Sequence, residues 1–408
     1  IPGHLFDWDI ELEHPYGMCL VAGTRISTER GIVPLIEAPT CKDTESGRIL
    51  DFIPQGRHPV HTLVTERGYR LTGTAHHRLA ASDGLSECVT IGEARGRTIA
   101  LKPPRFAERA YRCEWSDLPG VVTTMEITPE WGRFLGYFMG DGSYRGASQG
   151  RISTLTFSQV SVAYYRPDVD VAADITGLMR RLFGRNPSHR QTSEGGGEVR
   201  LQAQALFGPF LACGAIRRIE TATAARWRRH VHVPEPIWRS PRHVVREFLR
   251  ALFETDGSAS VYGEVSLAAN DVEFLRDVQL LLLGFGITSR LWLSPKYSCR
   301  KLHLTRVESS RFHDEIGFIG ARKRQRNVRA KFPRRPASCQ PISFADRVVE
   351  VVGAGEAEVY DLSLPAPHTF SANGLDVHNS EVGGLWRIQY SLNRIIAQII
   401  ENVLLTNR

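Results

Sequence analysis

Cys19-Leu20-Val21-Ala22-Gly23-Thr24-Arg25-Ile26 near the start of the chain and Val377-His378-Asn379-Ser380 near its end decide how everything between them is read. A cysteine at a peptide junction can attack the carbonyl before it and turn the Met18–Cys19 amide into a thioester, because thiols are good nucleophiles and good leaving groups near neutral pH. The departing nitrogen needs a proton, which a nearby histidine supplies. Asn379 can close its side-chain amide onto its own carbonyl and break the Asn379–Ser380 bond, an intramolecular step that stays slow unless acid and base groups are held in place. The Ser380 hydroxyl can take over the acyl group. A chain with these groups at its two ends can cut out what lies between them and rejoin its flanks.

The rest of the composition is permissive. With 408 residues the chain is too long for one small core, so two to four units are expected. A net charge of +7 admits an anionic partner such as double-stranded DNA. No apolar run reaches the ~18 to 20 residues that span a membrane. The seven cysteines (19, 41, 88, 113, 213, 299 and 339) are odd in number and lack CxxC spacing. That argues against a disulfide framework or zinc cluster and for a reducing compartment, the cytoplasm of a bacterium or phage-infected host. A monomer is expected. The first residues (Ile1-Pro2-Gly3-His4) lack Met and a signal-peptide pattern, which reads as a fragment of a longer protein.

Five stretches differ in texture. Residues 1–18 are acidic and irregular. Residues 19–112 alternate short β-rich runs with turns (Val21 to Ile26, Gly31 to Leu35, Val60 to Val64, Tyr69 to Thr72), the pattern of an all-β unit. Residues 113–340 are mixed α/β. Residues 341–379 return to β texture in Arg347 to Val352, Glu358 to Leu364 and Thr369 to Ser371. Residues 380–408 carry Leu385, Ile388, Leu392, Ile395, Ile396, Ile399 and Val403 on one face of an amphipathic helix. A β unit split around a large α/β insertion, with foreign ends on both sides, is the expected architecture.

Further groups join the junction residues. Gly68 to Leu79 contains Thr74-Ala75-His76-His77, a Thr-x-x-His pattern. Adjacent strand residues point to opposite faces, so one histidine serves the junction; His77 is expected there and His76 is expected to be structural or exposed. Val359-Tyr360-Asp361-Leu362 leads into His368-Thr369-Phe370-Ser371. Asp361 serves the junction or caps a turn.

With these residues in place, Cys19 to Asn379 closely resembles an intein, a self-splicing element of horseshoe-shaped Hint fold. Its blocks stand in order at Cys19–Ile26, Gly68–Leu79, Val359–Leu375 and Val377–Ser380. The resemblance implies that Cys19 performs the N-to-S acyl shift, His77 protonates the leaving nitrogen and Thr74 orients it. Asp361 would couple the first two steps, Ser380 would receive the chain, and His368 and His378 would assist Asn379 cyclisation. It implies no cofactor for splicing.

Two helical patterns lie within the insertion. Thr128-Pro129 opens one that ends in Asp141-Gly142, and Ser240-Pro241 opens one that ends in Asp256-Gly257. Both suggest a hydroxyl N-cap with Pro at N1 and a left-handed glycine at C′. An Asp at a helix C-terminus faces the negative end of the dipole, at ~0.3 to 1 kcal/mol, so a compensating cation is expected. Gly136, Gly140 and Ala251 would let the helices approach closely. These stretches resemble the paired motifs of LAGLIDADG homing endonucleases, which implies two pseudo-symmetric α/β halves, Asp141 and Asp256 as ligands of Mg²⁺ (or Mn²⁺), and cleavage of DNA at the intein-free host site.

Arg217, Arg218, Arg226, Arg228 and Arg229 surround Trp227, and Ala321 to Pro336 holds eight Lys or Arg, including Lys323 and Arg324. With Lys301 these suit phosphate contacts, or a merely solvated basic surface. One departure stands out: the lysine usual before a Val-Pro pair between the motifs is missing from Arg228-Arg229-His230-Val231-His232-Val233-Pro234. Either an Arg or His substitutes or one half-site is impaired, with Lys301 and Lys323 serving the second half only. His230 and His232 share a strand face without further ligands. The joined flanks loosely resemble a phage portal segment. The rival readings are an intein with a decayed nuclease and a structural phage protein with an inert insertion.

Overall fold

Two long strands from opposite ends of the chain hold the frame together. The computed structural model describes residues 18–118, 121–148, 155–165, 167–191, 195–202, 206–220, 225–293, 300–326 and 343–378. Asn379, Ser380, the helix expected over 380–408 and residues 1–17 lie outside the described residues. The first part of the frame runs β1 (Leu20–Val21), β2 (Arg25–Thr28), β3 (Gly31–Pro34), β4 (Asp43–Thr44), β5 (Gly47–Arg48), β6 (Asp51–Thr65), β7 (Arg70–Gly73), β8 (Arg78–Ala80), β9 (Cys88–Thr90) and β10 (Thr98–Ala100). After a hairpin of β11 (Arg112–Leu118) and β12 (Val121–Glu126), the inserted unit begins.

Its first half reads α1 (Pro129–Asp141), β13 (Gly142–Ser148), β14 (Leu155–Tyr165), α2 (Val169–Phe183), β15 (Ser188–Gln191), β16 (Gly196–Gln202) and α3 (Phe207–Ala212). The hairpin β17 (Ile216–Glu220) and β18 (Ala225–Arg229) and the short α4 (Glu235–Trp238) follow. The second half reads α5 (Arg242–Thr255), β19 (Gly257–Ala259), β20 (Val265–Ala269), α6 (Val272–Gly284), β21 (Arg290–Leu293), β22 (Arg300–His303) and α7 (Arg306–Glu315), then α8 (Ala321–Arg324). The frame resumes with β23 (Ala345–Ser363), β24 (Thr369–Ala372) and β25 (Leu375–His378).

The sheets sort these strands by their origin. One frame sheet has the order β1-β7-β6-β23-β10 with β1 also beside β23, and the other runs β5-β4-β2-β24-β25-β8-β9 with β3 on β2. Alternation along the strands buries Leu63, Leu71, Leu79, Val89, Val348 and Val377 between them. The expected strands at Arg347 to Val352 and Glu358 to Leu364 are one continuous β23. Irregular register between Gly353 and Glu356 absorbs the Gly353-Ala354-Gly355 break while the strand continues.

The two halves of the insertion repeat one plan. The sheet order β15-β16-β14-β13 of the first matches β21-β22-β20-β19 of the second, with β18-β17 added at the β13 edge. Between them α1 and α5 pack backbone against backbone. Trp131, Phe134, Leu135, Tyr137, Phe138 and Met139 are all buried, the signature of a helix at a core's centre. A methyl group on Gly132 would sit 2.6 Å from the Val244 carbonyl oxygen, one on Gly136 would collide with that of Phe248, and one on Gly140 with Thr255. The close approach expected of Gly136, Gly140 and Ala251 is thus present, and Gly132 extends it by one turn.

Two expectations about helix ends are corrected. Thr128 caps α1 by accepting from the Trp131 amide, but Pro241 rather than a hydroxyl is the N-cap of α5, and the Ser240 hydroxyl donates to the Pro236 carbonyl at 2.7 Å. Gly142 is extended (φ −79°), and Gly257, which opens β19, has no positive φ either. Glycine is required there because a Cβ would run into the Phe138 or Phe253 carbonyl as the helix turns straight into a strand.

The Gly136→Ala chain tests the helix contact. Alanine's better helix propensity, ~1 kcal/mol, works against an overpacking penalty of ~1–3 kcal/mol, and a net fall in the urea unfolding midpoint is expected. An equal or higher midpoint would count against direct backbone packing.

Candidate functional site

Register alone brings the junction residues together. In β1, Leu20 pairs with Tyr360 on one side and Gly73 on the other, so Cys19, one residue earlier, stands opposite Asp361 and Thr74. The Thr74 amide donates to the Cys19 carbonyl at 3.0 Å, and the Cys19 amide donates to Thr74 Oγ1 at 3.1 Å. Cys19 is buried at 1% exposure, and burial with the nearby Asp361 carboxylate pushes its thiol up to about 12. Asp361 is itself buried and sits within β23 opposite Ile53, so a turn-capping role is ruled out.

His77 is buried while His76 is exposed, as the strand argument expects. Burial pushes the His77 ring down to about 4; the Met18 backbone opposes this shift and His378 adds to it. Neither ring nitrogen completes a well-formed hydrogen bond among the described residues. An unsatisfied buried imidazole against the Met18 backbone is a group held for chemistry rather than for stability. His378 ends β25, and its Nε2 lies 3.1 Å from Cys88 Sγ. His368 precedes β24, whose Thr369 pairs with His378, and its Nδ1 lies 2.9 Å from the Leu364 carbonyl oxygen. Cys19, Thr74, His77, Asp361 and His378 therefore converge, with His368 at the next turn. Cys88 was not anticipated; nothing in Cys88-Val89-Thr90 marks it, because its neighbour comes from β25 across β8.

A second cluster forms where α1 and α5 end. Burial raises the pKa of Asp141, although one side stays open to solvent, while Arg229 and Lys323 oppose the rise. Burial and then the Asp141 charge raise Asp256 to about 6. Two desolvated carboxyls that repel one another fit a divalent cation, which relieves both causes. Among the described residues no third His, Cys, Asp or Glu joins them.

The missing lysine has a structural answer. Lys323 is buried, and its Nζ donates to the carbonyls of Phe253 (3.1 Å), Glu254 and Gly257 (2.7 Å) at the end of α5. Arg229 Nη1 donates to the carbonyls of Phe138 and Met139 (3.0 Å each) and Gly140 at the end of α1. Each cation sits on the negative end of one helix, beside one aspartate. Arg229 is thus the counterpart of Lys323. The signal was legible in parity: Arg229 shares its strand face with buried Trp227, so it points inward.

Arg229 and Lys323, expected among the phosphate contacts, are turned into the protein. Arg217 and Arg228 pair across β17 and β18, and Arg226 shares their outward face. Arg218 is on the other face and pairs with Glu220 at 3.5 Å. Lys301 is exposed on β22 beside half-exposed Trp292, and Arg324 is exposed on α8. The His230 and His232 rings stack 4.1 Å apart.

The thiol's high pKa makes a pH prediction. Attack through the Cys19 thiolate should quicken about tenfold per pH unit, without a plateau, between pH 7 and 9. His77, neutral above about 4, should add no inflection near pH 6 to 7. Dithiothreitol-induced cleavage after Met18 in the Asn379→Ala chain measures this, and a plateau below pH 9 would contradict it.

Comparison with known proteins places the second helical motif. Residues 243–317 match the LAGLIDADG-like domain. The chain is 35% identical over 291 residues to the DNA gyrase A protein of Mycolicibacterium flavescens, covering 66% of this chain and 45% of that protein. It is 23% identical over 427 residues to the replicative DNA helicase DnaB of Rhodothermus marinus, covering 82% and 41%. It therefore spans less than half the length of either relative. A crystal structure of I-DmoI in complex with DNA and Mn aligns with a TM-score of 0.36 at 13% identity, over 47% of this chain and 97% of that one. No described helix is long and apolar enough to cross a membrane. Through residues 243–317 the chain belongs to the LAGLIDADG-like family, carried as an insertion of the kind an intein with an embedded homing endonuclease has.

Proposed function

We propose that the chain is an intein of the Hint kind that excises residues 19–379 and joins Met18 to Ser380. The observation that carries this reading is the register of β1, which sets Cys19 between Thr74 and Asp361 with His77 against the Met18 backbone. Cys19 Sγ attacks the Met18 carbonyl carbon, the C–N bond breaks, and the freed nitrogen takes a proton by way of His77. The Ser380 hydroxyl displaces the thiol. Asn379 then cyclises, breaking its bond to Ser380, and the resulting ester rearranges to an amide. The similarity to two relatives of different function, a gyrase and a helicase, supports a module carried by unrelated hosts.

Expression under reducing conditions tests this by mass. The wild-type chain should yield an excised 19–379 fragment and a joined product, whereas the Cys19→Ala chain should yield no joined product. A wild-type chain that persists whole, unaltered by Cys19→Ala, would overturn the reading.

The insertion is proposed to be an active endonuclease that cuts double-stranded DNA at the intein-free host site. Asp141 and Asp256 would hold Mg²⁺ or Mn²⁺, which when bound lowers the pKa of water and offsets charge on the phosphate. Arg229 and Lys323 anchor the two helix ends so that each aspartate is held, and Arg217, Arg226, Arg228 and Lys301 offer outward charge for phosphates. Retention of an acid and a cation in both halves favours this over a decayed nuclease.

The Asp256→Asn chain supplies a test with two readouts. It should fail to cut target DNA in Mg²⁺. A carboxyl whose folded pKa is raised loses stability as pH rises from its unfolded value, near 3.8, through about 6. In EDTA at pH 7.5 the variant should therefore melt above the wild type, with the gap closing near pH 4. A lower melting temperature at pH 7.5 would argue against the repelling pair.

A further inference from the structure

Cys88 has no part in the chemistry assigned above, yet it touches one of its groups. Its Sγ lies 3.1 Å from Nε2 of His378. The contact is not incidental to the sheet. Leu79 on β8 pairs with Val377 on β25 and with Val89 on β9, and these three side chains are buried in the frame core. Strand alternation then places His378 and Cys88 together on the opposite face, where both are half-buried. On its other edge the His378 backbone is held by pairing with Thr369. The strand is therefore fixed on both sides, and the thiol meets the one ring nitrogen that points away from the residue's own backbone.

We propose that Cys88 is a positioning residue that sets the tautomer of His378. This rests on the splicing reading. A thiol is a weak donor, and Nε2 of a neutral imidazole that accepts from it carries no proton. The ring proton is then held at Nδ1, on the side nearest the peptide that follows. Cyclisation of Asn379 needs a donor there, since the Asn379–Ser380 nitrogen must gain a proton as its bond breaks. Without the thiol, the ring can turn or carry its proton on Nε2, and the donor at Nδ1 is lost. The His77 ring shares this neighbourhood, since His378 contributes to lowering its pKa. A misplaced His378 proton would therefore also disturb His77, at the other junction.

The test isolates the second junction. In a Cys19→Ala background, release of the segment after Asn379 is followed by mass between pH 6 and 9. Cys88→Ser, which keeps a donor, should cleave within about threefold of its parent. Cys88→Val, which fills the space without a donor, should slow cleavage on the order of tenfold or more and shift its pH profile. In the uncleavable Asn379→Ala chain, ¹⁵N shifts of the His378 ring should report the proton on Nδ1, and the Cys88→Val substitution should move it toward Nε2. Equal rates and profiles for Cys88→Val and its parent, or unchanged ring shifts, would overturn the role of Cys88 while leaving splicing intact. A Cys19→Ala parent that never cleaves after Asn379 would overturn both.

Discussion

The pairing of β6 with β23 is the constraint on which everything else depends. It runs from Thr65 opposite Val348 to Asp51 opposite Ser363, and it joins segments separated by the whole insertion. Closing a loop of about 280 residues carries an entropic cost of roughly 5 kcal/mol beyond its constant term. The pair cannot form cheaply unless the insertion folds with its ends close together. Once formed, it places Asp361 beside Cys19, because β1 is squeezed between β23 and β7.

The insertion also contributes to the frame. Leu283 of α6 is buried in the frame core, and Ile32 and Phe106 of the frame side belong to the core of the insertion. Gln279, buried on α6, donates to the carbonyls of Arg67 (3.0 Å) and Ser289 (2.7 Å). Ion pairs Arg25–Glu235, Arg239–Glu37 and Arg70–Glu273 cross the same boundary. Most of these pairs are partly exposed, so each adds little alone; the apolar interlock is the stronger tie. Two chemistries thus share a continuous packed body.

Each site is organised around groups that burial makes uncomfortable. The Cys19 thiol and the His77 ring are both held neutral by desolvation, next to the bond they would act on. Asp141 and Asp256 are pressed toward their neutral forms at the ends of α1 and α5. Arg229 and Lys323 quiet the helix-end carbonyls without pairing directly to either acid. The carboxylates stay destabilised and open to a cation.

Much of this was legible in the residues themselves. The junction groups, the Thr-x-x-His spacing, the paired Asp-Gly helix ends and the small residues Gly136, Gly140 and Ala251 depend on local chemistry or on helical spacing, which sequence displays directly. The Thr128 cap was readable for the same reason, and the equivalent reading of Ser240 failed because its hydroxyl found a nearer carbonyl. What sequence could not display is adjacency across strands. The place of Arg229 opposite Lys323, the burial of Asp361 in a strand and the contact of Cys88 with His378 each depend on which strand lies beside which. By itself the sequence determined the groups available for chemistry and the order of the units. Only the tertiary structure decided which groups meet, because register and sheet order are set by long-range pairing and shared core burial rather than by any local pattern.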